Sequence, residues 1–339
     1  MESSRISRPK KMLPEWRVDP KTGRALISTA MQCRDLLAVA GEDGAVRTWD
    51  ARFRLFKKEL RYQKSGITSL AANSTHLFTG SRDGTIIAWA MEDWLPDYKL
   101  SGFSCGIQRM ACNGNTLLYK TLVFGTTGMV DTRTLQKPSS IWKPSGFAGN
   151  TIDFSITSTR MATTTDEGRI HVWDLGTRAL LCTLESESAF PTVCMDGQLL
   201  AYPDGNRRIA IVDTTSWDVI TRLDHDVPAD MYCLVLHDKH VAAGFANGSA
   251  VIWNRGAWTV AKTHRRREDP VVAIVFMDPD VFVVHEHGLI DIFNTCDWRP
   301  AGKLENKTPT IDAQLKSRDK VIARLSRESA ALRKRLGTQ

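Results

Sequence analysis

A unit of about forty residues recurs seven times in this chain, and a period of that length restricts the fold more than any other feature. LLAVAGEDGAVRTWD (36–50) and HLFTGSRDGTIIAWA (76–90) are the same segment offset by 40. Further copies are TSTRMATTTDEGRIHVWD (157–174), HVAAGFANGSAVIWN (240–254) and VFVVHEHGLIDIFN (281–294). Two worn copies, TLLYKTLVFGTTGMVD (116–131) and LLAYPDGNRRIAIVD (199–213), lie between them. The worn third unit also repeats the start of the second, with Gly106, Ile107 and Asn113 answering Gly66, Ile67 and Asn73. Each unit ends on a bulky apolar residue: Trp49, Trp89, Val130, Trp173, Val212, Trp253 and Phe293, spaced by 40, 41, 43, 39, 41 and 40.

Within the better copies a glycine (Gly44, Gly84, Gly168, Gly248, Gly288) lies five residues before that position, preceded by Asp43, Asp83, Glu167, Asn247 or His287. On either side the chain alternates apolar and polar, as in Val46, Arg47, Thr48 and Trp49. Asp-Gly or Asn-Gly between two such runs is a strong hairpin signal, because a tight turn needs positive φ. The acids at the turn are assigned to capping backbone N–H groups. Seven hairpins, each flanked by a strand on either side, make seven four-stranded blades. The predicted fold is all-β, a seven-bladed β-propeller in which radial closure leaves few open sheet edges.

These residues resemble the WD-repeat β-propeller family over roughly residues 13–304. The dipeptide itself stands at Trp49-Asp50 and Trp173-Asp174, worn to Trp253-Asn254, Val130-Asp131, Val212-Asp213 and Phe293-Asn294. The family's Gly-His before the innermost strand is missing. Gln63 stands near that place in the second unit, and His225 and His264 are only loosely placed in the last two. Blades without the hydrogen-bonded tetrad this dipeptide completes are expected to depend more on apolar packing. For blade seven two segments compete as the outer strand: Leu13 to Val18, and Arg299 to Leu304 with Pro300 as its weakness.

Outside the ring, residues 1–12 form a basic arm and 305–339 a linker and helix. Ile311, Leu315, Ile322, Leu325, Leu332 and Leu336 repeat at threes and fours. Thr308 suits the cap with Pro309 at the first helical position, and Gly337 the stop. The predicted C-terminal amphipathic α-helix has about seven turns. In heptad register one seam position reads Leu315, Ile322, Ser329, Leu336 and the other Arg318, Leu325, Leu332, a flawed coiled coil. Docking on the propeller's own surface, a partner or self-association seam, and an anionic membrane surface are its competing roles. Arg5, Arg8, Lys10 and Lys11 fit a nuclear-import signal, a phosphate-binding arm or a solvated tail.

The formal net charge of +7 belongs to these ends: residues 1–24 carry +4 and 299–339 carry +7, leaving 25–298 at −4. Bulk electrostatics therefore do not make the ring a nucleic-acid platform, and RNA or DNA binding would fall to the basic termini. Seven cysteines without a CxxC indicate neither a disulfide framework nor a zinc site, and fit a reducing compartment, cytosol or nucleus. The N-terminal residues lack the apolar core of a secretory signal, and no run approaches a membrane span.

No GxGxxG, GxxxxGK[ST] or GxSxG is present, so no cofactor is expected and no enzyme is read. His285-Glu286-His287 is the best metal-like cluster, but it lacks a third ligand and the turn at Gly288 disrupts its alternation. What remains is recognition of proteins or peptides. The resemblance puts the residues before the turn position, Glu42, Arg82, Asp166, Ala246 and Glu286, on the narrow face where partners of such propellers bind. Their mixed sign suits a basic or mixed peptide, or plain solvated decoration. Arg265, Arg266 and Arg267 follow His264 between blades six and seven and fit equally a receiver of an acidic or phosphorylated peptide and an ordinary charged loop. Trp49, Asp50, Ala51 and Arg52 form a WDxR, and Val130, Asp131, Thr132 and Arg133 a worn copy. In WD-repeat substrate receptors of cullin-RING ubiquitin ligases an Arg at this place helps dock the adaptor, which the resemblance would carry to Arg52 and Arg133. In many propellers that Arg merely pairs locally. The reading as a whole is a non-catalytic interaction scaffold, with Leu325 and Leu332 marking the helical seam.

Overall fold

The computed structural model describes residues 25–103, 105–122, 127–134, 151–188, 192–205, 207–266 and 268–336, with side chains of the last helix as far as residue 331. Seven antiparallel sheets follow one another along it: residues 27–61, 67–100, 107–131, 151–185, 194–224, 231–265 and 271–305. In every sheet the strands pair in chain order. Six blades have four strands, and the third has three among the described residues, which leave out 135–150. The first strand of each blade packs beside the first strands of both neighbours, so seven inner strands ring a central channel.

The hairpins close as the turn chemistry requires. Gly44, Gly84, Gly168, Gly248 and Gly288 have φ between +74° and +86°, where a side chain would be strained. At Gly248 it would also run into the Arg266 carbonyl. Asp43, Asp83 and Asn247 accept from the N–H two residues on, at 3.3, 3.0 and 3.0 Å. A second repeated device joins the third and fourth strands. Arg54, Trp94, Arg178, Trp217, Trp258 and Trp298 all have positive φ, and each donates its N–H to the carbonyl four residues back.

The core is divided. Buried apolar residues form seven clusters, one at each interface between neighbouring blades. The unit-ending residues supply their anchors: Trp49, Trp89, Trp173, Trp253, Val130, Val212 and Phe293 are all buried. Fully burying one such side chain contributes ~1.5–3 kcal/mol. Blade two also keeps a tetrad-like network with Gln63 in the histidine's place. Trp89 Nε1 donates to Thr79 Oγ1 (3.1 Å), which donates to Gln63 Oε1 (2.6 Å), while Gln63 Nε2 donates to the Thr79 and Thr85 carbonyls. In blade four Trp173 Nε1 likewise donates to Thr163 Oγ1, at 3.1 Å.

Blade seven takes its outer strand from Pro300–Glu305, paired with Leu289–Asn294. Pro300 is tolerated as the first residue of an edge strand, where its missing N–H costs no ladder bond. Leu13 to Val18 and the arm of residues 1–12 lie outside the described residues. The ring is latched by Asn306, fully buried: its carbonyl accepts from Ala25 N–H, and its Nδ2 donates to the Ala25 carbonyl, both at 3.1 Å. Arg54 reaches from blade one to Asp280 of blade seven at 2.7 Å.

The helix runs Ile311–Leu336. It starts later than the expected cap at Thr308. Thr310 takes that role, its Oγ1 accepting from Ala313 N–H at 3.3 Å, because the Thr308 hydroxyl is engaged by Glu59 and Arg47 of blade one. No helix among the described residues is long and apolar enough to cross a membrane.

Candidate interaction surfaces

Chain-order pairing sorts every turn onto one of two faces. Turns between second and third strands share a face with the connectors that enter the next blade, while the two other turns of each blade lie on the opposite face. The first face is braced by one repeated bond: Glu42, Arg82, Leu122, Ala246 and Glu286 each donate their N–H to the connector of their own blade, at Leu26, Gly66, Gly106, Asp230 and Pro270. The opposite face repeats another, from Ala51, Met91, Thr132, Leu175, Thr214, Arg255 and Thr295 to the first turn of each blade. All seven blades share it, the worn ones included.

On the first face Glu42 and Arg82 meet each other, with Arg82 Nη2 2.7 Å from Glu42 Oε1 across the boundary of blades one and two. Asp166 is exposed at the turn of blade four and Glu286 half-buried at that of blade seven, where its carbonyl accepts from Ile27 N–H at ring closure. His264 and Arg265 belong to the outer strand of blade six, Val260–Arg265, and Arg265 is exposed. Arg266 turns onto Asp291 of blade seven at 3.3 Å, and Arg267 lies outside the described residues.

Arg52 and Arg133 occupy the opposite face, in the turns after the third strands of blades one and three. Arg133 is clamped in its own turn, its Nη2 2.6 Å from Asp131 Oδ2. The hydrogen bonds from Arg133 bring the Asp131 carboxyl down to about 2. Asp50 instead accepts from Phe53 N–H and faces Lys57 at 3.3 Å. Arg52 is exposed, its guanidinium 5.3 Å from the centre of the Phe53 ring.

Two polar centres inside the ring were not legible in the repeat pattern. A cavity of about 460 Å³ lies in the channel, lined by residues including Ser69, Arg109 and Asp153 of inner strands and Thr192 just before one. There Arg109 Nε pairs with buried Asp153 at 2.5 Å, and Thr192 Oγ1 donates to the same carboxylate at 2.7 Å. The second centre is Asp291, buried in blade seven and faced by His264, His285, Arg266 and Lys303. The only sequence signal for either is a lone acid inside an apolar strand, as in Thr151–Ile156 and Leu289–Asn294. The pair His285 and His287 separates: His285 is buried, whereas exposed His287 pairs through Nδ1 with Asp269 Oδ1 at 2.9 Å.

The start of the helix meets the ring. Ala313, Gln314, Ser317 and Arg318 line a groove with Trp49, Phe56 and Leu304, while Ile311, Leu315, Ile322 and Leu325 are exposed. The side chain of Leu332 lies outside the described ones.

Residues 56–90 match the family described as WD domain, G-beta repeat. The match spans the outer strand of blade one and the three inner strands of blade two, so the repeat is offset from the blade by one strand. No curated protein matches the chain. Among solved structures, the chain is similar to the computationally designed Ika8 protein, with a TM-score of 0.63, 18% identity, and coverage of 80% of this chain and 87% of that one. That similarity concerns the fold alone. With one WD repeat matched and the ring of blades in place, the chain is a seven-bladed β-propeller with a WD-repeat match at blades one and two and, among the described residues, a single C-terminal helix.

Proposed function

We propose that this protein is a non-catalytic interaction scaffold, holding protein or peptide partners through the loops of its ring and through its C-terminal helix. The observation that carries the reading is the helix. It extends about 39 Å at ~1.5 Å per residue, anchored at its start and exposing Leu315, Ile322 and Leu325 of its seam. A ring with a separate helical attachment joins two modest sites into one stronger one by raising effective concentration.

The test keeps the ring intact. Because Asn306 latches blade seven to blade one, ending the chain at Leu304 would damage the ring as well as remove the helix. Full chain and the Ile322→Glu, Leu325→Glu double variant are instead purified from native cells, and each stoichiometric partner is rebound in purified form. Binding lost in the double variant supports the helix as attachment point; equal binding assigns it to the ring; no specific partner for either removes the scaffold reading.

Exposed Arg52 favours one second reading, a substrate receptor docking a cullin-RING ligase adaptor. Arg133, held by Asp131, is the lesser contact. Arg52→Ala abolishing direct adaptor binding while leaving the fold unchanged supports it, and unaltered or absent binding removes it.

A further inference from the structure

We propose that His264, His285 and Asp291 form a binding site for one divalent transition-metal ion, of zinc-like preference, bridging blades six and seven. The three residues come from three strands: Val260–Arg265 of blade six, and Asp280–His285 and Leu289–Asn294 of blade seven. His264 Nε2 lies 3.1 Å and His285 Nε2 3.4 Å from the same oxygen, Asp291 Oδ2. One donor atom of each residue falls within 4.8 Å of the others. A tetrahedral zinc with bonds of ~2.0–2.2 Å sets its ligands about 3.3–3.6 Å apart, so the two spacings from imidazole to carboxylate need only small adjustment.

The tautomer supports the same reading. His285 is fully buried, and its Nδ1 lies 2.9 Å from the Asp269 carbonyl, which can only accept. Nδ1 therefore carries the hydrogen, and Nε2 is the atom left for a cation. Orienting a ligand imidazole through its other nitrogen is the usual second layer of a metal site. Nε2 makes no hydrogen bond, although it is buried and points to a carboxylate oxygen. A lone pair facing that oxygen is repulsive unless a cation lies between, and a proton or a metal ion would serve. Two imidazoles and one carboxylate favour zinc, cobalt, nickel or copper over calcium or magnesium.

Two cations oppose the ion's charge. Arg266 Nε is 3.3 Å from Oδ2 and Lys303 Nζ 3.6 Å from Oδ1. Binding would draw Oδ2 away from Arg266, leaving Oδ1 to Lys303. Both basic side chains reach solvent, and the His264 side chain is partly exposed, which opens a path for entry and for a water as fourth ligand.

The experiment uses the full chain, stripped with chelator and titrated with Co²⁺, then Zn²⁺. One Co²⁺ per chain is expected, with the strong visible bands of a four-coordinate ion, bleached by Zn²⁺. His264→Gln, on the partly exposed outer strand, should keep the fold by circular dichroism and lose at least tenfold in Co²⁺ affinity; His285→Gln should do the same for the bands. Zn²⁺ should raise the Tm of the parent but not of His264→Gln. Absence of stoichiometric binding, or bands and affinity unchanged in His264→Gln, overturns the proposal and leaves a proton between His285 and Asp291.

Discussion

Asn306 and Ala25 hold the ring shut: the two residues exchange a pair of hydrogen bonds at 3.1 Å, one through the asparagine's backbone and one through its side chain. They stand 281 positions apart, at the end of the last outer strand and just before the first inner one. Replacing Asn306 with Ala leaves the Ala25 carbonyl without its buried donor. The expected cost is ~1–3 kcal/mol, read as a lower urea midpoint. Faster amide exchange confined to Ile27–Cys33 and Pro300–Glu305 would place the loss at the seam, and unchanged stability would deny Asn306 this role.

The first blade carries a buried carboxylate with a pH signature. Burial alone would raise the pKa of Asp43, but Arg47 at 2.6 Å and Arg61 at 3.1 Å outweigh it and hold the group below 3.8. A depressed folded pKa adds stability that is complete above the unfolded value and is lost as pH falls through the folded one. Asp43→Asn should therefore lower stability by ~1–3 kcal/mol at neutral pH. The gap to the parent should narrow as pH drops below 3.8 in thermal melts. A gap independent of pH would refute the electrostatic account.

Gln63 substitutes for a histidine in the network of blade two, and its chemistry explains why this works. Its amide oxygen accepts from Thr79 while its nitrogen donates to two carbonyls. Gln63→Leu removes the hydrogen bonds to Thr79 and Thr85 and should cost ~1–3 kcal/mol in urea unfolding. Gln63→His retains one acceptor and one donor and should cost clearly less. Equal costs would show that shape, not hydrogen bonding, decides the site.

The helix is expected to separate stability from binding. Ile322 and Leu325 are 58% and 38% exposed, so Ile322→Glu with Leu325→Glu should move stability by no more than ~0.5 kcal/mol each. Sedimentation measures the other half: if the seam joins two copies, the parent's mass is concentration-dependent and the variant's is not. A large loss of stability would mean that the helix packs on the ring after all.

Burial makes the thiols slow to react. It pushes Cys33 and Cys194 up to about 11, and Cys112 and Cys233 up to about 12. Alkylation of the native protein at neutral pH should label exposed Cys296 well before these four, as read by peptide mass. Prompt labelling of Cys33 would contradict its burial.

The forty-residue spacing of Trp49, Trp89, Trp173 and Trp253 determined the blades, because a hairpin with alternating apolar residues has one way to bury its face and neighbours repeat it. The turn glycines and the capping acids Asp43 and Asp83 were legible for the same local reason: positive φ and a carboxylate near an N–H are set within a few residues. Tertiary structure decided what joins residues far apart in the chain. It placed Pro300–Glu305 on blade seven, tied Asn306 to Ala25, and moved the helix cap from Thr308 to Thr310 because blade one claims the Thr308 hydroxyl. It also paired Glu42 with Arg82, locked Arg133 onto Asp131 while leaving Arg52 exposed, and gathered His264 and His285 around Asp291. A charge in a sequence carries no record of its distant partner. That partner is set by how one blade's face meets the next, a geometry that exists only once the ring has closed.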